Sequence, residues 1–132
     1  MLTTLQVKSS QRSEMIDVTG QVQTMVSKSG IKDGICYLYV PHTTGAITIN
    51  EGADPNVVVD ILTTLDRLIP WRNNYRHMEG NAAAHIKTSL MGSSERIFVD
   101  NGKLVLGTWQ RIFFCEFDGP RTRKLHVKVA SL

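Results

Sequence analysis

The feature that most constrains the fold is a series of strand-like segments joined by short turns in the last third of the chain. ERIFVD and KLVLG flank Asn101-Gly102, a dipeptide typical of two-residue hairpins. GTWQRIFFCEFDG and RKLHVKVASL follow, with a turn expected at Asp118-Gly119-Pro120. Such short turns join antiparallel neighbours, because a parallel pair needs a long crossover. This region therefore predicts antiparallel sheet.

Three helices are predicted among these strands from capping residues, prolines and helical spacing of apolar side chains. They run from Thr19 to Gly30, from Asp54-Pro55 to Pro70, and from Asn81 to Met91. Further extended segments are expected at 2–8, 14–18, 34–41 and 46–51, and about seven strands are expected in the whole chain. The pattern predicts one α+β domain over residues 1–132, mainly antiparallel sheet with about three helices.

Composition excludes several classes of protein. With 42% hydrophobic and 20% charged residues and no apolar run of roughly 20 residues, the chain is expected to be soluble rather than membrane-bound. The N-terminus lacks a secretory pattern, which favours the cytoplasm, and Cys36 and Cys115 are expected to be reduced and buried. The net charge of +3 and one small basic cluster argue against nucleic acid and favour small anionic ligands.

The stretch HMEGNAAAHIKTSLMG, residues 77–92, is the first candidate site. With Asn81 as N-cap, the unpaired N–H groups of the first helical turn would attract a phosphate, and the alanines there would leave it room. His77 arrives from the preceding loop and His85 from one turn into the helix, with Ser89 on the same face. The alternative is a surface helix in which alanine serves only helix propensity.

The stretch PHTTGAITINEGAD, residues 41–54, is the second candidate site. His42, Thr43 and Thr44 follow an apolar strand, where a rigid scaffold commonly presents functional groups. Asn50, Glu51 and Asp54 add an amide and two carboxylates, which suit magnesium bound with a diphosphate. The alternative is a polar turn followed by a helix cap at Asp54.

Two further stretches could contact a ligand. In GTWQ, Trp109 and Gln110 could stack on and hydrogen-bond a heteroaromatic ring, although a tryptophan of this kind is more often a core residue. Arg121 and Arg123 would share one face of an extended segment and could together hold phosphate, unless both are simply solvated. His126 alternates with apolar residues and is interpreted as a strand-face residue without a catalytic role.

The combination of PHTTGAITINE, HMEGNAAAHIKTSLMG, GTWQ and DGPR, in this order, resembles the YjbQ-like family over nearly the whole chain. The resemblance implies an α+β domain that assembles as a homotrimer. It also implies a secondary thiamine-phosphate synthase, a transferase that joins hydroxymethylpyrimidine diphosphate to thiazole phosphate and releases diphosphate. The positions that it carries over are His42, Thr43, Thr44, Asn50, Glu51, His77, Asn81, His85 and Gln110.

Under this hypothesis the phosphorylated substrate would be held by the start of the third helix, Thr43, Thr44 and Arg121 or Lys87. His42, His77 and His85 would either donate protons or bind a divalent metal, zinc or magnesium. Two alternatives remain open: a metal-dependent phosphoester hydrolase with Glu51 or Glu79 as general base, and a non-catalytic binder of a small phosphorylated metabolite.

Overall fold

The computed structural model describes residues 1–132 and contains three helices and eight strands. The strands are β1 (Thr3–Lys8), β2 (Glu14–Asp17), β3 (Asp33–Tyr39), β4 (Gly45–Glu51), β5 (Ser94–Asp100), β6 (Lys103–Leu104), β7 (Gln110–Glu116) and β8 (Thr122–Ser131). The helices are α1 (Thr19–Ser29), α2 (Pro55–Leu68) and α3 (Ala82–Met91). The predicted α+β class and three helices are confirmed, and the strand count is one higher than expected.

All strand pairs are antiparallel and form two sheets. The five-stranded sheet has the order β1-β8-β3-β5-β6, and the three-stranded sheet has the order β2-β7-β4. Asn101 and Gly102 both have positive φ, 51° and 77°, as a two-residue hairpin turn between β5 and β6 requires. The predicted hairpin is confirmed, although β6 has only two residues.

The turn expected at Asp118-Gly119-Pro120 lies between β7 and β8, but it does not form a hairpin, because the two strands belong to different sheets. Residues 112–116 of β7 are buried on both faces, whereas β8 alternates between buried and exposed positions. A strand buried on both faces belongs in a layer that is covered from both sides. The turn therefore carries the chain from the inner sheet to the outer one.

The core has two parts, on either side of the three-stranded sheet. One face of this sheet packs with α1 against the inner face of the five-stranded sheet, around Val22, Leu38, Ile47, Phe114 and Leu125. The other face is covered by α2 and α3 through Ala46, Leu65, Ala84, Phe113 and Cys115. The outer face of the five-stranded sheet has no such cover, and Tyr37, Tyr39 and Phe98 on it are 46%, 52% and 65% exposed.

The predicted capping chemistry holds at the start of α2 and the end of α1, but not at the start of α1. Asp54 accepts a hydrogen bond from Asn56 N–H and Pro55 opens α2, as predicted, and α1 ends at left-handed Gly30. Thr19 was expected as a cap, but it is the first helical residue, and its Oγ1 accepts from Ile112 N–H at 2.7 Å. This hydroxyl joins α1 to β7 instead of capping the helix.

Both cysteines are free and buried, as predicted. Burial raises the pKa of Cys36 to about 11 and that of Cys115 to about 12, so neither is a thiolate near neutral pH. No helix has both the length and the apolar character that a membrane crossing requires.

Candidate functional site

A polar groove of about 360 Å³ lies between the β3–β4 loop and α3. None of its lining residues is hydrophobic and none is a carboxylate: they are His42, Thr43, His85, Thr88, Ser89, Gly92 and Ser93. The strand β4 places the loop beside α3, since Ile47 N–H donates to Gly92 C=O at 3.1 Å and Val40 N–H to Ser93 C=O at 2.8 Å. The groove therefore joins the two histidine stretches that the sequence singled out.

His42 is held by the backbone of β8. Lys124 N–H donates to His42 Nε2 at 2.9 Å, so this nitrogen carries the lone pair and the proton of the neutral ring is on Nδ1. Burial, followed by the positive charge of Arg123, lowers the pKa of His42 below its ordinary 6.5. Near neutral pH, His42 is an uncharged imidazole with Nδ1–H available as a donor.

His77 and His85 contact each other edge to face, with ring centroids 5.2 Å apart. His85 lines the groove, and His77 lies in the loop before α3 and has Nε2 3.9 Å from Glu79 Oε2. A second hollow of about 470 Å³, lined by loop residues 71–75, 77, 79 and 80, lies on the His77 side. The His77–His85 pair thus separates two concave surfaces.

The donor set does not fit a three-histidine metal site. No three His, Cys, Asp or Glu side chains are grouped so that they could hold an ion. His42 has its Nε2 lone pair occupied by Lys124 N–H and its Nδ1 protonated, so neither nitrogen is free to coordinate.

The first turn of α3 has no room for a ligand, in contrast to the expectation from its three alanines. Ala82, Ala83 and Ala84 are 9%, 0% and 0% exposed, because this turn packs against the three-stranded sheet. Asn81 occupies the N-cap position, but its side chain makes no capping bond. The alanines are small so that the helix can approach the sheet, and they leave no open site.

Asn81 and Arg121 nevertheless lie together. Asn81 Nδ2 donates to Asp118 Oδ2 at 2.9 Å, and Arg121 Nη2 donates to the same oxygen at 3.1 Å. Arg121 Nε also donates to Asp118 C=O, while half of its side chain is exposed. The structure thus places one cation, partly satisfied by Asp118, near the start of α3.

A buried ion pair lies close to His42 and joins the two sheets. Arg123 of β8 and Glu116 of β7 are 3% and 0% exposed, with Arg123 Nε 2.9 Å from Glu116 Oε1. Arg123 Nη2 also donates to Thr44 Oγ1 at 2.8 Å. Burial opposes ionisation of Glu116, but hydrogen bonds from Arg123, Asp118 N–H and Ser9 outweigh it and lower its pKa.

The expectation that Arg121 and Arg123 hold phosphate together is therefore wrong. Arg123 points into the space between the sheets, and Arg121 precedes β8 and faces Asp118. Thr44 is 5% exposed and its hydroxyl contacts Arg123, whereas Thr43 is exposed and lines the groove. Of the two threonines, only Thr43 lies at the groove surface.

Asn50, Glu51 and Gln110, here called the distal cluster, lie at the other end of β4. Glu51 pairs with Gln110 in the β4–β7 register, six residues along the strand from Gly45, or about 20 Å. Their side chains form local turn contacts: Asn50 Oδ1 accepts from Glu51 N–H and Gln110 Oε1 from Gly107 N–H. Within one chain the distal cluster does not reach the groove.

Lys87 and Trp109 lie in surroundings that the sequence did not predict. Lys87, considered for phosphate binding, is 2% exposed and pairs with Asp66 of α2, on the side of α3 away from His85. Trp109, expected more often in a core, is 63% exposed beside the distal cluster. His126 stacks on Tyr39 on the outer sheet face, in agreement with its interpretation as a strand-face residue.

Sequence reasoning missed Glu116, Thr88 and Ser93. A signal for the ion pair was present, because Arg123 shares its strand face with Leu125 and Val127, which are both core residues. A charged residue at a core position of a strand requires a partner. Thr88 and Ser93 carried no such signal, since their place in the groove depends on how α3 docks on β4.

Comparison with known proteins gives a consistent assignment. Residues 3–131 match the family described as UPF0047 protein YjbQ-like. UPF0047 protein YugU of Bacillus subtilis is 53% identical over 130 residues, 98% of each chain. UPF0047 protein MJ1081 of Methanocaldococcus jannaschii is 53% identical over 129 residues, 98% of this chain and 94% of the relative.

Solved structures agree in fold. A family protein of Clostridium acetobutylicum, an ortholog of YugU, superposes with a TM-score of 0.95 at 52% identity, covering 97% of this chain and 99% of that one. A protein of unknown function from Sulfolobus solfataricus superposes with a TM-score of 0.95 at 37% identity, covering 100% and 97%. With this sequence match and this shared fold, the chain belongs to the YjbQ-like family, UPF0047.

Proposed function

We propose that this protein is a transferase that joins a hydroxymethylpyrimidine diphosphate to a thiazole phosphate and releases diphosphate. The observation that carries the proposal is the groove shared by His42 and His85, which offers hydroxyl and imidazole groups and no carboxylate. Such a lining suits a phosphate-bearing ligand better than a cation or an apolar one. The same proposal places the reaction in the cytoplasm.

The chemistry is a displacement at the pyrimidine methylene carbon. The C–O bond to diphosphate breaks with its electron pair on the leaving oxygen, and the thiazole nitrogen uses its lone pair to form the new C–N bond. The barrier falls most where the protein stabilises the charge that develops on diphosphate. Preorganised donors in the groove would supply that stabilisation.

Individual roles follow from the geometry. His42 would donate a hydrogen bond from Nδ1–H to a diphosphate oxygen, and Thr43 would add a hydroxyl from the same loop. His85, in contact with His77, would deliver a proton to the leaving oxygen, since imidazole is the usual proton donor near neutral pH. The hollow on the His77 side would accept the second substrate.

Assembly as a homotrimer is part of the proposal. The outer face of the five-stranded sheet presents Tyr37, Tyr39 and Phe98. Arg96 and Lys128 flank Tyr37 in register, and Asp33 lies opposite Asp100 at one end of the face. A sheet face that carries exposed aromatic rings together with positive and negative side chains can pack against another copy of this chain. Within one chain, the length of β4, about 20 Å, separates the distal cluster from the groove. In a trimer, the distal cluster of one copy would lie near the groove of a neighbouring copy.

The experiment is product formation from the two phosphorylated precursors by the purified protein. His85→Ala is expected to lower the rate by about 100-fold or more, the usual contribution of a positioned acid. Ile86→Ala is the matched control, because Ile86 is the next residue of α3, is 44% exposed and lies outside the groove. An equal loss in both variants would point to damage of α3 and not to chemistry.

Two further measurements on the purified protein, phosphoester turnover and binding of the diphosphate precursor, separate the alternatives. Turnover of simple phosphoesters that depends on added Zn²⁺ or Mg²⁺ would support the metal-dependent hydrolase. Binding of the diphosphate precursor without turnover, weakened by His77→Ala, would support the non-catalytic binder. No product with either metal or with none would end the synthase proposal.

A further inference from the structure

Thr88 has a hydroxyl that the fold leaves unused. It is 8% exposed on α3, lines the groove, and its Oγ1 has no hydrogen-bond partner. A helical threonine or serine usually donates to the carbonyl four residues earlier, as Ser89 does to His85 C=O at 3.0 Å. A buried polar group without a partner costs about 1–3 kcal/mol. Valine has nearly the same shape as threonine and would avoid this cost. Threonine is therefore advantageous at position 88 only if a ligand in the groove accepts a hydrogen bond from its hydroxyl.

His42 supplies a second donor to the same groove. Its Nε2 is occupied by Lys124 N–H, so Nδ1–H is the only polar group of the ring left for a ligand. The positive charges of Arg123, Lys124 and Arg121 act on this ring, while the carboxylate of Glu116 is bonded to Arg123. Two hydrogen-bond donors that have no partner, in a net positive electrostatic potential, favour the binding of an anion.

We propose that Thr88 Oγ1–H and His42 Nδ1–H form an oxyanion subsite that binds a phosphoryl group in the groove. This places the anion along the side of α3 and not at its first turn, where the alanines are packed against the sheet. The inference deepens the proposed function and rests on it for the view that the groove takes a phosphorylated substrate. Thr88 acts here as a binding residue that sequence reasoning did not indicate.

The test is calorimetric titration of the whole protein with inorganic diphosphate. Thr88→Val keeps the shape of the side chain and removes only the hydroxyl, so diphosphate affinity is expected to fall by about tenfold, the loss of one hydrogen bond to a charged group. The melting temperature is expected to stay the same or rise, because an unpartnered buried hydroxyl is removed. Thr88→Ser should restore part of the affinity.

Thr24→Val is the matched control. Thr24 is exposed on α1, outside the groove, and its hydroxyl donates to Gly20 C=O at 3.0 Å, so the same substitution there should change diphosphate affinity less than twofold. A second readout is the ¹⁵N spectrum of His42: Nδ1 should carry the proton, and its signal should shift when diphosphate is added.

Several outcomes would overturn the subsite. These are unchanged affinity in Thr88→Val, a lower melting temperature in Thr88→Val with normal binding, and no diphosphate binding by the wild type at millimolar concentration. Failure of the synthase proposal is distinguishable: diphosphate binding that depends on Thr88 without any product would retain the subsite and discard the reaction. Product formation by Thr88→Val with full diphosphate affinity would retain the reaction and discard the subsite.

Discussion

At the scale of single residues, the Arg123–Glu116 pair is the most consequential contact between the two sheets. Both side chains are almost fully buried, so removing one charge leaves the other unpaired in the core. Glu116→Gln keeps the size of the side chain and is expected to lower the free energy of unfolding by about 3–5 kcal/mol. Urea denaturation of the two proteins at neutral pH measures this difference.

The double variant Glu116→Gln, Arg123→Met is the control for that loss. With the unpaired charge also removed, most of the stability is expected to return, because apolar replacement of a buried pair is often neutral. If the single variant loses less than 1 kcal/mol, the guanidinium finds water or another partner, and the pair does not hold the sheets together.

His42 makes stability depend on pH in a defined direction. Its pKa in the folded protein is lowered by burial and then by Arg123, whereas the unfolded chain keeps the ordinary 6.5. Below pH 6.5 the unfolded chain therefore binds the proton more readily than the folded protein. The stabilisation is complete above pH 6.5 and is lost as the pH falls from there towards the folded pKa.

His42→Gln tests this dependence, since its amide oxygen can still accept from Lys124 N–H. Between pH 7.5 and 5.5, the free energy of unfolding is expected to fall more steeply for the wild type than for the variant. Parallel curves would show that the ring is solvated and that Lys124 does not select its protonation state.

Residue-level prediction from the sequence worked where the chemistry is local. Asp54 with Pro55 indicated a helix start, and His42 was identified as a candidate from its place after a strand. The partner of His42 is Lys124, 82 positions away, and no local pattern could indicate it. The same holds for Thr88, whose missing partner is a property of the packed helix.

At the scale of elements, α3 is the part that sets the geometry of the groove. Its first turn packs on the three-stranded sheet through Ala84, which lies with Ala46 and Phe113. Ala84→Leu adds volume at a fully buried position and is expected to cost about 1–3 kcal/mol and to displace α3. Diphosphate affinity should fall with it, because His85 and Thr88 move away from His42.

The comparison variant is Leu90→Ala on the same helix, where Leu90 is 66% exposed. It should change stability and affinity little, as expected for an exposed residue away from special contacts. Thermal unfolding and diphosphate titration of both variants provide the measurements. Normal affinity in a destabilised Ala84→Leu would mean that the groove does not depend on how closely α3 approaches the sheet.

Element prediction also shows where local signals stop. The Asn101-Gly102 hairpin was predictable because the turn type alone fixes an antiparallel pair. The β7–β8 connection was not, because a turn signal does not state whether the next strand stays in the same sheet. The continuous apolar run IFFC in β7 was the available hint, since a strand buried on both faces is an inner strand.

At the scale of the whole molecule, the layers leave one face without a partner. The three-stranded sheet is covered on both sides, whereas the five-stranded sheet is covered only by its inner neighbours. The groove and the distal cluster lie at opposite ends of β4. An assembly through the uncovered face would explain both the exposed aromatic rings and the separation of the polar groups.

This assembly predicts that a charge placed among the aromatic rings of the uncovered face dissociates the trimer. Tyr39→Asp places a carboxylate among rings that would be buried between copies, and sedimentation should change from the mass of three chains to that of one. The circular dichroism spectrum should be retained, because Tyr39 is half exposed in the single chain. Thr24→Asp, at an exposed position on α1, is the control and should remain trimeric. A trimeric Tyr39→Asp, or a monomeric wild type, would show that this face does not join copies of the chain.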